Sequence, residues 1–318
     1  MEKTELNVVL GANGSVGSNI VRELFARGRN VRIVSRSGNS SFDKSVEVVK
    51  GDAFDLKSLK AAVRGANVVY HSIGMPYQDF PKLEIIADNV IRAASSVGKE
   101  TKVVYADNLY AYGKRNAVKG PLKEDLPHLA DGKKGKIRSS IENKLLNAHK
   151  EGKIKATIGK ASDFFGSGAK NSMLGMYVFD HLNSEKNISL MGNVDKLHSY
   201  IYLPDFGRGL VTLGENESAF GEVWHLPHNT SISTRKFVEM ILKEAKTESK
   251  KIKTMPKLML LFGSLFMKTA REFKEVVYQW ENDFVVDSSK FTSAFDFQLT
   301  PPEEAIRQTV EWYKNNNP

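Results

Sequence analysis

The 318-residue chain contains no cysteine. Disulfides, thiolate metal sites and a cysteine nucleophile are thereby excluded. Its 7 histidines show no HxxxH or HExxH spacing, so no metal site is expected. Long apolar runs are also missing. The longest, residues 258–267, falls far short of the roughly 20 residues a spanning helix needs, and it reads as a buried helix. No basic-then-apolar stretch opens the chain, and residues 1–5 lead directly into an apolar strand. The expectation is a cytoplasmic protein with no membrane partner. Acidic residues are in deficit, 37 against 46 lysines and arginines, for a net charge of +9. Lysines cluster at residues 243–257 (KEAKTESKKIKTMPK), but without interleaved aromatics or a nucleic-acid motif. That cluster reads as a solvated face. No nucleic-acid partner is expected, and the positive excess favours an anionic small molecule.

The order of short apolar segments and helical periods is regular. Residues 6–10 form a strand, and Val16, Ile20, Val21 and Leu24 follow at helical spacing. Further strands are predicted at residues 31–34, 45–49, 67–73, 102–106 and 154–158. Helices are predicted at residues 55–64, 83–97 and 138–150. Short apolar strands separated by helices imply a parallel sheet covered on both faces. Right-handed crossovers then make the fold a Rossmann-type, doubly wound α/β sheet. Beyond about residue 165 the alternation loosens. Strands are expected at residues 188–191 and 223–226, and helices at 237–245 and 255–267. A last helix is expected to open at Thr300-Pro301-Pro302-Glu303, with Thr300 at the cap. The expected division is a dinucleotide-binding domain over residues 1–165 and a smaller α/β substrate lobe over 166–318, some of whose segments return to the first domain.

The first strand–helix junction reads VVLGANGSVGSNIVREL, residues 8–24. Gly11, Gly14 and Gly17 have distinct physical tasks. One permits the tight turn, one a close backbone approach to a pyrophosphate, and one close packing of helix on sheet. The helix N-terminus then offers N–H groups and a positive dipole end to phosphates. Asn13, Ser15 and Val16 complete this cradle. At the end of the second strand, VRIVSRSGNS has Ser35 and Arg36 where a carboxylate would select the ribose 2′-hydroxyl of NAD. An arginine suits a 2′-phosphate instead, so NADP(H) is expected over NAD(H). Asp52, after the third strand, is placed for the adenine edge or for a turn. Ile73 and Gly74 end the fourth strand where the loop passes the nicotinamide side. Tyr77 is a candidate wall of the substrate pocket.

With these motifs the chain resembles the extended branch of the short-chain dehydrogenase/reductase superfamily, the NAD(P)-dependent epimerase/dehydratase type. ASDFFG (residues 161–166), HSYIYLPDFGRGL (198–210) and the last 30 or so residues are similar to further family segments. The resemblance implies a nicotinamide cofactor, a small carbonyl or sugar-like substrate and a homodimer. It also implies a Ser/Thr, Tyr and Lys set, the last two four residues apart on one helix. There the lysine holds the ribose and the tyrosine moves a proton. RSSIENK, residues 138–144, puts Lys144 at the lysine position but Ser140 at the tyrosine position. Asn108 takes the place of the upstream serine. Tyr110, two residues on, is a candidate replacement proton donor. Phe164 is a candidate wall for the nicotinamide, and His198 and Tyr202 are candidates from the returning segment. Two functions stay open: an oxidoreductase or epimerase with an eroded catalytic set, and a non-catalytic NADP(H) sensor.

Overall fold

The computed structural model describes residues 5–40, 42, 46–184, 186–229, 231–255 and 275–316. The apolar run at 258–267 lies outside the described residues, as does most of the helix expected at 255–267.

The chain groups into two compact units. The first comprises Met1–Ala111, Lys136–Ala161 and Phe206–Leu226; the second comprises Tyr112–Gly135, Ser162–Asp205 and Pro227–Pro318. Residues 112–135 leave the first unit, and residues 206–226 join it.

The first unit is built on β1 (Leu6–Leu10), β2 (Asn30–Ser35), β3 (Glu47–Lys50), β4 (Val68–His71), β5 (Lys102–Asn108) and β6 (Lys155–Ala161). In the second unit follow β7 (Asp163–Phe165), β8 (Ile188–Leu190), β9 (Leu197–His198) and β10 (Tyr200–Tyr202). A further strand, β11 (Val223–His225), returns to the first unit. The sheet order is β11-β6-β5-β4-β1-β2-β3, and every pairing in it is parallel. A seventh strand thus joins the six expected from the N-terminal half. All three residues of β11 are buried, with Val223 opposite Ile158. The unpaired edge of β6 is covered in this way.

Strand burial follows from the connections. A crossover helix on each face makes both sides of a strand core, so β4 is buried at all four positions. The helices of the first unit include α1 (Ser15–Ala26), α2 (Leu56–Ala62), α3 (Lys82–Val97), most of α5 (Lys133–Lys150) and most of the helix Leu203–Glu215; a short α4 (Gly113–Ala117) precedes α5 in the second unit. Val8 and Leu10 of β1, Val69, Val103, Tyr105 and Ile158 share one core with Leu59 of α2, Ile86 and Val90 of α3, and Ile141 and Leu145 of α5. Each such fully buried aliphatic side chain contributes about 1.5–3 kcal/mol. The opposite face needs small residues. A Cβ on Gly159 of β6 would stand 2.6 Å from Leu210, and one on Gly207 would stand 2.8 Å from Asn19 of α1.

In the second unit β7 pairs with β10 in parallel. There too are α6 (Met173–Tyr177) and the helix Pro302–Asn316. The loop before that helix differs from the expected cap. Thr300 donates its hydroxyl and its N–H to the two oxygens of Asp205, at 2.7 and 3.0 Å. Asp205 is almost fully buried, and its charge draws both donors.

Candidate functional site

The order of the first unit's sheet reverses between β1 and β4. In open parallel sheets such a point leaves a crevice at the carboxyl ends of the strands. A cavity of about 410 Å³ lies there, lined by Gly11, Asn13 and Gly14 of the β1–α1 turn, Ser35, Arg36 and Ser37 beyond β2, Asp52 beyond β3, and Ile73, Gly74 and Met75 beyond β4.

The turn is held by close contacts. Gly11 has φ +84°, a backbone region side chains rarely adopt. A Cβ there would meet the backbone of Ser72 and Ile73 at 3.0 Å. A Cβ on Gly17 would lie 2.2 Å from the Gly11 carbonyl oxygen and 2.7 Å from Ser72 Oγ. Gly14 is the N-cap of α1 and has no side chain to cap it; the first turn contains no acid. The N–H groups of Ser15, Val16 and Gly17 therefore receive no side-chain acceptor from the cap. An amide-lined helix start beside a cradle that a Cβ would fill fits a dinucleotide diphosphate.

Ser35 is buried and Arg36 exposed at the mouth. Ser35 Oγ and Ser37 Oγ are 3.1 Å apart. Arg36 makes no ion pair with any described residue, and its side chain is exposed. Asn13 Nδ2 donates to the Asn39 carbonyl at 3.3 Å and ties the glycine turn to this loop. Asp52 organises its own turn, accepting from the Phe54 N–H at 3.0 Å.

The catalytic candidates separate in space. Asn108 ends β5, and its side-chain oxygen accepts from the Tyr110 N–H at 3.1 Å. The Tyr110 hydroxyl stands 3.0 Å from that of Tyr77. Ser140 and Lys144 face α3 instead. The Ser140 hydroxyl donates to Glu84, and the Lys144 amine lies 2.8 Å from Asp88 and 3.9 Å from Glu84. Neither residue lines the cavity. Two acids of α3 on successive turns draw both donors sideways. Phe164 lies on β7 in the second unit; His198, on β9 of the same unit, has its Nε2 2.8 Å from Asp163 Oδ2. The Tyr202 hydroxyl donates to Gln308 at 2.7 Å, also within that unit.

The buried charges of α5 were not expected from the sequence. Arg138 and Glu142 share its buried stripe with Ile137, Ile141 and Leu145. Glu142 Oε2 lies 2.7 Å from the fully buried Lys160 amine, which also meets Asp107 at 2.8 Å. Arg138 Nη1 lies 3.2 Å from Asp107 and donates to the Tyr105 hydroxyl. Two cations and two carboxylates thus neutralise one another inside the protein, where an unmatched charge would cost several kcal/mol. Burial pushes the Tyr105 phenol up to about 12, with Arg138 acting against it. Burial, and then the Arg138 charge, hold His71 down at about 3. The signal for this network is the spacing of Lys134, Arg138 and Glu142, which puts charge on the stripe that ought to be apolar.

Among the described residues, no helix is long and apolar enough to cross a membrane, and no three histidines or acids gather as a metal site.

Comparison with known proteins agrees with this geometry. Residues 7–226, more than half the chain, match the NAD dependent epimerase/dehydratase family. The chain belongs to that family. A stretch of 108 residues is 33% identical to cinnamoyl-CoA reductase 1 of Oryza sativa subsp. japonica, covering 30% of this chain and 32% of that protein. The matched stretch therefore spans about a third of that relative. Among solved structures, an epimerase from Methanothermobacter thermautotrophicus superimposes with a TM-score of 0.80 at 18% identity, covering 98% of this chain and 93% of the other. A dTDP-glucose 4,6-dehydratase from Bacillus anthracis in complex with NAD gives 0.78 at 16% identity, with 98% and 97% covered. At these identities the two structures establish the fold.

Gly17→Ala should destabilise the protein by about 1–3 kcal/mol, although the same change in an open helix would stabilise it. A lowered denaturant midpoint at unchanged slope reports this; an unchanged midpoint contradicts the close packing of α1 on the turn. His71 gives a pH signature. Its pKa is held below the ordinary 6.5, at about 3. Its contribution to stability is thus complete above pH 6.5 and declines as pH falls from 6.5 toward 3, by up to about 1.4 kcal/mol per unit. Thermal melts of His71→Asn should lose part of the wild-type acid sensitivity in that window. Parallel melting curves would contradict the buried, neutral imidazole.

Proposed function

We propose that the chain is an NADP(H)-dependent oxidoreductase or epimerase-like enzyme acting on a small carbonyl or sugar-like substrate. The observation that carries this reading is the cavity at the sheet's reversal, with amide donors at one wall and Ser35, Arg36 and Ser37 at another. The diphosphate lies against the start of α1 at Gly14–Gly17, where the helix dipole favours it. The guanidinium of Arg36 and the two serine hydroxyls take the 2′-phosphate. Ile73 and Gly74 flank the nicotinamide end, and Asp52 borders the adenine end. The cofactor supplies or accepts hydride when bound.

Asn108 is the proposed hydrogen-bond donor to a substrate oxygen, and Tyr110 the proton donor beside it. Ser140 and Lys144 are not assigned to the reaction, because Glu84 and Asp88 engage them. The sugar-like substrate class draws support from the dehydratase among the structural relatives, which acts on dTDP-glucose. A second reading, a non-catalytic NADP(H) sensor, is favoured by the lack of a phenol four residues before Lys144. It requires a conformational difference between the NADP⁺ and NADPH complexes.

Calorimetric titration should give tighter binding of NADPH than of NADH. A charge-assisted contact contributes roughly 1.5–3 kcal/mol, so Arg36→Glu should weaken NADPH by at least about tenfold and leave NADH unchanged or tighter. Equal affinities in the wild type, or equal losses in the variant, would overturn the preference.

A further inference from the structure

Of the tyrosines in the first unit, two lie at the carboxyl edge of the sheet with their hydroxyls in contact. Tyr110 follows β5, and Tyr77 follows the cavity-lining Met75 by two residues. The separation of 3.0 Å is a hydrogen bond, so one phenol donates to the other. Both side chains are part-buried and pack on the core that α2, α3 and α5 share with the sheet. Phe80 packs edge-on against Tyr77 at 5.6 Å between centroids. Over the Phe80 ring, at 5.1 Å, lies the Arg138 guanidinium.

Arg138 is the fixed element. Arginine does not lose its proton at any pH the fold survives. Burial opposes the charge, while Tyr105, then Asp107, then Tyr110 favour it, the two phenols when ionised. Its carboxylate partner, Asp107, is shared with Lys160. The guanidinium therefore retains attraction for a further anion nearby. Tyr105 cannot meet that demand by exchanging protons with a ligand, since it is 1% exposed. Tyr110 can, because it is only part-buried and its hydroxyl is bonded to that of Tyr77, which can replace its proton.

We propose that Tyr110 and Tyr77 form a proton relay for the reaction, with Arg138 as the positioning residue that stabilises the Tyr110 phenolate. This rests on the reading of the chain as a nicotinamide-dependent oxidoreductase. A substrate carbonyl carbon gains hydride from the reduced nicotinamide, which is oxidised. The carbonyl π pair moves to oxygen, and that oxygen takes the Tyr110 proton, giving the alcohol. The Tyr110 phenolate then takes the Tyr77 proton, and Tyr77 recovers one from solvent. In the oxidative direction the same steps run backwards.

The test needs no substrate. In full-length protein carrying ¹³Cζ-tyrosine, the Tyr110 resonance is assigned by its loss in Tyr110→Phe and then followed against pH. Tyr110 should titrate at least one unit below the ordinary value of about 10. Tyr77→Phe, which removes the bonded hydroxyl while keeping the ring, should raise that midpoint. Arg138→Lys, which keeps a charge in the buried network, should raise it by less than Arg138→Met does. A Tyr110 midpoint at or above 10, or one unmoved by the Tyr77 and Arg138 changes, overturns the relay. NADP⁺ titration of the same samples separates the two levels of the argument. Tyr110→Phe should bind NADP⁺ as the wild type does, since Tyr110 does not line the cavity. A wild type that binds neither nicotinamide dinucleotide overturns the oxidoreductase reading itself, whereas a normal Tyr110 titration in a protein that binds NADP⁺ overturns only the relay.

Discussion

The packing of Gly17 against the Gly11 carbonyl is the constraint on which the cofactor site depends. Without side chains at these positions, α1 starts directly beyond β1 and against the end of β4. That closeness brings an uncapped helix start to the place where the strand order reverses. The turn, the β2 end and the β4 end then share one cavity because β1 is hydrogen-bonded to both β2 and β4. A methyl group at Gly17 would push the helix away and part the amides from the cavity floor, and one at Gly11 would push the turn off the end of β4. The dipole and the N–H groups act only over the first turn, so a shift of this kind removes most of their attraction for phosphate.

A second constraint is electrostatic and lies further along the same sheet edge. Lys160, Asp107, Glu142 and Arg138 bury four charges that balance in pairs. Replacing such a network with apolar side chains of equal volume is often neutral or stabilising. Beside the ends of β5 and β6 it acts on neighbouring groups: burial first, and then its Arg138 charge, keep His71 neutral, and the same guanidinium is a permanent cation near the paired phenols at Tyr77 and Tyr110.

The architecture was legible because a parallel sheet writes itself in short apolar runs. A helical period separates each of the runs around Val8, Ile33, Val69 and Val104 from the next, and each became a strand of the one sheet. The glycine turn was legible for a related reason, since three glycines at a strand–helix junction have few other uses. Family membership followed from the same residues. What the sequence concealed was non-local. The strand Val223–His225 is only three residues long, and nothing in its composition says that it pairs with β6 rather than with its sequence neighbours. The partners of Ser140 and Lys144 were likewise hidden, because Glu84 and Asp88 lie more than 50 residues away on α3. Arg138 was overlooked because a basic residue early in a lysine-rich helix reads as solvent-facing. Only the tertiary partners Tyr105 and Asp107 turn it inward.

A phosphorylated dinucleotide is proposed to seat its diphosphate on the amides that open α1. Backbone hydrogen exchange, read residue by residue with and without saturating NADP⁺, tests this directly. Exchange at the amides of residues 12–17 should slow, with a second protected patch at residues 35–37. Exchange in those segments that is the same with and without the nucleotide would contradict it.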